Sequence, residues 1–132
     1  MTCFVSHTTF SCTDAYALSE WWKRLLDYTD VPGDPNKPGH DHCMIVDPVT
    51  GHRLLFLEVD EVDASRTPRA HLDLRPRQGG RDAEIERVRA LGAVEVADRR
   101  GIHGPGSGWV VFADPEGHQF CVLRSEEEAA AP

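Results

Sequence analysis

The 132-residue chain has no Cys-x-x-Cys pair, no long apolar run and no excess of positive charge, and each lack removes a class of protein. Its four cysteines, at positions 3, 12, 43 and 121, are too scattered for a ribbon-type zinc site. A disulfide framework serves small secreted chains. The segment Met1 to Phe10 holds neither the basic start nor the apolar stretch of a signal peptide. The thiols are therefore expected to be reduced and mostly buried as small hydrophobes, and the expected compartment is the cytoplasm. No segment approaches the ~20 apolar residues that a bilayer span requires. Lys and Arg number 14 against 22 Asp and Glu, a net charge of −8 with histidine neutral. That surface repels phosphate backbones and anionic lipid, so neither nucleic acid nor a membrane is an expected partner.

What is present is ordinary for a globule, with 40% hydrophobic and 27% charged residues. The length is about nine-tenths of a typical ~150-residue domain, so a single domain is expected. Seven histidines are the one compositional oddity.

Cys3 to Cys12 is rich in β-branched and aromatic residues and is predicted as a strand. Asp14 is placed to cap a helix, in which Leu18, Trp21, Trp22, Leu25 and Leu26 form one apolar stripe. At least one of the two tryptophans then belongs to the core. Val31 to Gly39, with three prolines and two glycines, is predicted as a loop or an irregular edge strand. His42 to Val46 and Arg53 to Val59 are strand candidates joined by the turn Asp47 to Gly51. A matching series follows. Ala70 to Leu74 is a short strand, and Asp82 to Leu91 is a helix with Ile85 and Val88 inward and Gly92 ending it. Three strands come next, at Ala93 to Ala97, Gly108 to Ala113 and His118 to Arg124, the last two joined by Asp114 to Gly117. The acidic segment Ser125 to Pro132 is expected to fray.

The series repeats. His7 and His71 lie 64 apart on the opening strands, and the two Asp-Pro turns, at Asp47 and Asp114, lie 67 apart before the closing strands. Two tandem βαβββ modules, about 3–59 and 70–124 with a linker at 60–69, account for this order within one α+β domain.

The chain resembles the vicinal oxygen chelate superfamily, and within it the glyoxalase, bleomycin-resistance and dioxygenase branch. The residues that carry the resemblance are His7 to Asp14, Trp21 and Trp22, His71 to Leu74, Leu91 to Ala93, and Asp114 to Leu123, with Trp109 ahead of the closing turn. The resemblance implies that the sheets form an open, cupped, barrel-like wall around a cavity, with the helices outside. It also implies a two-fold homodimer, in which the modules pair within one chain or exchange. In metal-using members the opening-strand and closing-strand positions of each module converge on a divalent ion, where vicinal substrate oxygens chelate.

Carried onto this chain, the four positions fall on His7, Leu55, His71 and Cys121. Strand alternation places Val5, His7, Thr9 and Ser11 on one face, and His71 and Asp73 on the matching face of the second module. Glu58 lies three residues from Leu55, so only a bulge would bring it to the same side. His7, His71 and Cys121 are thus the candidate metal ligands, for zinc, iron, manganese or nickel, with sulfur and imidazole suiting zinc or copper. The competing reading is that they line a cavity and satisfy hydrogen bonds, and a third is catalysis without metal. His7, Thr9, His71, Asp73, Trp109 and Cys121 form the expected cavity set. Trp109 walls the cavity or packs in the core. Asp73 orients or activates His71, or pairs with Arg75 or Arg69.

Two other features have weaker claims. His40 and His42 form an HxH pair, without the later spacing a metal site of that type uses. Gly101 to Gly108 is Gly-rich but lacks the Gly-Lys-Ser/Thr ending of a phosphate loop, and is expected to be a mobile connection closing over the cavity mouth with His103 on it. No catalytic residue is assigned. The expected function is small-molecule binding in a central cavity, and the alternative is a metal-dependent lyase or dioxygenase using His7 and His71.

Overall fold

A computed structural model describes residues 1–63 and 66–131. The chain divides into two compact units, Met1–Asp63 and Ala64–Pro132. Each contains one four-stranded sheet, and the fold class is α+β.

In the first unit β1 (Thr8–Cys12) leads into α1 (Ala15–Leu26), followed by β2 (Thr29–Asp30), β3 (His42–Val46) and β4 (Arg53–Glu58). The sheet order is β1-β4-β3-β2, with β1 parallel to β4 and the other pairs antiparallel. The helix starts where the sequence supplies a cap: the Asp14 carboxylate accepts from Ala17 N at 3.0 Å, satisfying an amide with no partner inside the helix. It stops at Asp27, whose φ of 59° is left-handed. Between these ends, Leu18, Trp21, Trp22 and Leu25 are buried against the sheet. Trp22 lies 5.6 Å from Phe10 and 6.4 Å from Phe56 between ring centroids, so both predicted stripe tryptophans are core and the stripe seats on the β1–β4 face. Each large side chain buried this way contributes ~1.5–3 kcal/mol relative to exposure.

The second unit repeats the order with β5 (Leu72–Leu74), α2 (Arg81–Ala90), β6 (Val94–Asp98), β7 (Val110–Ala113) and β8 (Gln119–Val122). Its sheet runs β5-β8-β7-β6, again with the opening strand parallel to the closing one. Ile85 and Val88 of α2 are fully buried, as are Val110, Phe112 and Phe120 of the sheet. Those three sheet residues share the even-numbered parity, so the odd-numbered side chains of β7 and β8 point away from that core.

Two local expectations change, at the opening strand and the acidic tail, and the Pro-rich stretch keeps to its loop reading. The opening strand begins at Thr8 rather than Cys3, and Phe4 and Val5 are exposed, so β propensity alone does not recruit a segment without a pairing partner. The edge strand of the first sheet is Thr29–Asp30, ahead of the Pro-rich stretch; there only Val31 and Asp34 make an isolated bridge, as proline's missing N–H dictates. The acidic tail does not fray. It forms α3 (Glu126–Ala130) with a capping box: the Ser125 hydroxyl accepts from Glu128 N at 3.0 Å, and the Glu128 carboxylate accepts from Ser125 N at 2.9 Å. The same carboxylate accepts from Arg81 N at 2.7 Å, closing the first turn of α2, where Gly80 offers no side-chain cap.

Candidate functional site

The outward face of the second sheet has a residue pattern of its own. On β5, His71 precedes the strand and Asp73 lies within it; on β8, Gln119 and Cys121 take the matching parity, and Leu123 follows; on β7, Trp109 and Val111 do the same. These odd-numbered side chains line one cavity of about 390 Å³. Its walls are mostly apolar, from Trp109, Val111 and Leu123, and one end is polar. No lysine or arginine is among its described lining residues.

Register explains the polar end. β5 and β8 run parallel with Asp73 opposite Cys121, which puts these two side chains side by side on the same face. His71 is two residues before Asp73 and therefore on that face too; its Nε2 lies 3.2 Å from Asp73 Oδ1. One ligand atom from each of His71, Asp73 and Cys121 lies within 4.8 Å of the others, a grouping that recurs nowhere else among the described residues. The imidazole and carboxylate are about half exposed, at 47% and 52%, whereas Cys121 is buried. Burial pushes the Cys121 thiol up to about 11, and the negative charge of Asp73 and their mutual hydrogen bond add to the rise. At neutral pH this sulfur is a protonated thiol rather than a ready nucleophile. The pairing of Asp73 with Arg75 or Arg69 does not occur: Asp73 meets His71, and Arg75 Nη1 donates to the Arg124 carbonyl at 2.7 Å.

Trp109 is held from behind. Its ring stacks on His103 at 6.1 Å and 25°. The Gly-rich segment carrying His103 is tied down rather than a free flap. Gly101 N donates to Ser107 O and Ser107 N to Gly104 O, while the buried Arg81 sends Nη1 to the carbonyls of Ser107 (2.7 Å), Gly108 (3.0 Å) and Gly106 (3.4 Å). A single guanidinium thus replaces the partners these loop carbonyls would otherwise find in water.

The remaining expected residues lie in the first unit. His7, partly exposed, has its Nδ1 2.9 Å from Ser6 Oγ, and Thr9 is the register partner of Leu55. Leu55 brings no donor atom. The β1–β4 ladder runs without a register shift through Cys12 and Glu58, so no bulge turns Glu58 toward the Leu55 side. His40 and His42 are exposed; His40 accepts from Lys37 N, and His42 pairs with Asp41.

A family model described as a glyoxalase-like domain matches residues 7–123. The chain belongs to that family. Solved structures of similar fold include a mutant of the genomically encoded fosfomycin resistance protein FosX from Listeria monocytogenes, complexed with Mn(II) and 1S,2S-dihydroxypropylphosphonic acid. It is 18% identical, with a TM-score of 0.70 over 97% of this chain and 95% of that one. FosX from Mesorhizobium loti is 17% identical, with a TM-score of 0.65 over 93% and 92%. A possible glyoxalase from Bacillus cereus is 14% identical, with a TM-score of 0.65 over 92% and 99%. At these identities the likeness is one of fold. No curated protein matches the chain.

The donor set of this glyoxalase-like domain fits a divalent ion on different terms from the superfamily pattern. Leu55 removes one of the four implied positions, while Asp73, which that pattern does not use, adds a carboxylate beside His71 and Cys121. Sequence reasoning took Asp73 as a partner of the imidazole rather than a donor. It missed Val111, Gln119 and Leu123 altogether, although their shared parity with Trp109 and Cys121 was available as a signal.

Proposed function

We propose that this glyoxalase-like domain binds a small, neutral or cationic organic molecule in the cavity of the second unit. The supporting observation is the cavity's division of labour: an aromatic and aliphatic wall from Trp109, Val111 and Leu123, and a single polar end where Asp73 is the carboxylate. Apolar walls supply burial and a few polar groups fix orientation, which is how small-molecule sites are commonly built. No lysine or arginine is among the described lining residues and His71 already sits beside Asp73, so an anion finds no unpaired counter-charge, whereas a cation finds both a carboxylate and an indole. His7 and Thr9 belong to this reading through the family pattern. So does a homodimer, while a single domain with modules at 3–59 and 70–124 and a cytoplasmic location rest on the sequence reading alone.

The test is a charge series on one ring: naphthylmethylamine, naphthalenemethanol and naphthoate, titrated by calorimetry into wild type and Val111→Trp. The amine and the alcohol are expected to bind wild type more tightly than the carboxylate, and the filled cavity of Val111→Trp is expected to bind none. Equal binding by both proteins would overturn the assignment.

The donor cluster supports a second reading, a metal-dependent lyase or dioxygenase of the superfamily type. His71, Asp73 and Cys121 would hold the ion, with His7 as the family pattern has it, and zinc, iron, manganese and nickel are the candidate ions. A bound ion there would act as a Lewis acid toward two adjacent substrate oxygens. His71 would then be a ligand, and Trp109 and Val111 would bury the apolar part of the substrate. Metal content of the purified protein, compared between wild type and His71→Ala, decides this reading; no divalent ion near stoichiometry would end it.

A further inference from the structure

We infer that His71, Asp73 and Cys121 form a cation site within the second unit that selects a thiophilic, zinc-class divalent ion over manganese. The inference deepens the metal reading above and does not depend on the organic ligand.

The cluster offers three chemically different donors from two hydrogen-bonded strands. His71 and Asp73 come from one face of β5 and its approach, and Cys121 comes from the register position opposite Asp73. Their donor atoms already lie within 4.8 Å of one another. Zinc binds at ~2.0–2.3 Å from imidazole, carboxylate and sulfur, so donors of one ion lie no more than ~4.6 Å apart, close to the spread of these three. The backbone is fixed by the β5–β8 and β7–β8 ladders, so the strands supply the preorganisation.

Sulfur decides the ion. Thiolate favours borderline and soft ions, and affinity rises from manganese toward zinc and copper for a given nitrogen, oxygen and sulfur site. A hard-ion site would need an oxygen donor where Cys121 stands. The arrangement also differs from the superfamily pattern in drawing all its donors from one module and in using Asp73. Three protein donors would leave a coordination position free for an exogenous ligand, as in zinc sites that admit one. Binding breaks the Cys121 S–H bond, releases its proton to buffer and forms a metal–sulfur bond, with no change in oxidation state.

The experiment uses the full chain and cobalt(II) as a spectroscopic substitute for zinc. The expected result is a near-ultraviolet sulfur-to-cobalt charge-transfer band that zinc abolishes and an equal concentration of manganese leaves in place. Cys121→Ser should remove the band, Cys3→Ser should leave it, and Asp73→Asn should weaken cobalt binding at least about tenfold. If Cys121→Ser does not fold, zinc protection of Cys121 from iodoacetamide in wild type, located by peptide mass spectrometry, takes its place. No charge-transfer band, a band retained in folded Cys121→Ser, displacement of cobalt by manganese, or no zinc protection would each overturn the inference. Naphthalenemethanol titrated into metal-free wild type reports the organic-ligand reading separately, so the two can fail independently.

Discussion

Asp73 and Cys121 face each other across the parallel β5–β8 ladder, and their ligand atoms lie within 4.8 Å on the face that carries the cavity. This single register fixes the polar end of the site. A shift of one residue would place Leu72 or Leu74 there and turn Asp73 toward the packed side of the sheet.

Arg81 is the first test. Its guanidinium serves three loop carbonyls and its side chain is 9% exposed, so truncation takes this donor from Gly106 and Gly108, while Ser107 keeps the Gly101 amide. Arg81→Met is expected to destabilise the protein by on the order of 2–3 kcal/mol and to blue- or red-shift the Trp109 emission. Urea denaturation checks the first and fluorescence the second. A change below ~0.5 kcal/mol, typical of neutral surface substitutions, would contradict the role.

Gly108 is the second. A Cβ built there would lie 2.0 Å from the Arg99 carbonyl oxygen, and its φ is +92°. At Gly106, with φ +77°, nothing lies within 4 Å. Both alanine variants carry the left-handed penalty, but only Gly108→Ala forces the backbone apart. Its loss should exceed that of Gly106→Ala by roughly 1–3 kcal/mol in the same denaturation assay.

The site was partly legible from the sequence, and the reason lies in strand parity. Alternation put His71 with Asp73, and counting from Asp114 reached Cys121, so those positions needed no coordinates. The helix caps and stripes were equally plain, because Asp14 and the Leu18–Trp22–Leu25 spacing are local signals. What stayed hidden depends on partners distant in sequence. Arg81 reads as a surface residue at the start of a polar helix until the loop carbonyls are seen around it. The tail reads as frayed until Glu128 is found closing two helix starts at once. The closeness of Asp73 to Cys121 is a register fact, and parity alone does not set register.

Glu128 gives the pH prediction. Hydrogen bonds from Ser125 N and Arg81 N hold its carboxyl below the ordinary 4.5. A carboxylate depressed by folding adds stability that is present above its unfolded pKa and disappears as pH falls through the folded one. Wild type should therefore melt above Glu128→Gln at neutral pH, and the gap should narrow as pH falls below 4.5 and the carboxylate is protonated. Melting by circular dichroism across that range checks it. A gap unchanged by acid would show that the charge contributes nothing.

Trp22 anchors the first unit as a fully buried side chain between Phe10 and Phe56. Trp22→Ala should cost ~3–5 kcal/mol, the range for emptying a large aromatic site. Equilibrium urea unfolding measures it, and a loss below ~1 kcal/mol would mean the helix is not seated as described.

The central claim is that the odd-numbered face of the second sheet receives a ligand. Trp21 and Trp22 are buried in the first unit, whereas Trp109 lines the cavity, so the three indole N–H resonances report on separate places. Proton–nitrogen spectra of labelled protein titrated with naphthylmethylamine measure this directly. A saturable shift of the Trp109 indole, absent in Val111→Trp, is the predicted result; a shift confined to Trp21 or Trp22, or one that survives in Val111→Trp, would contradict it.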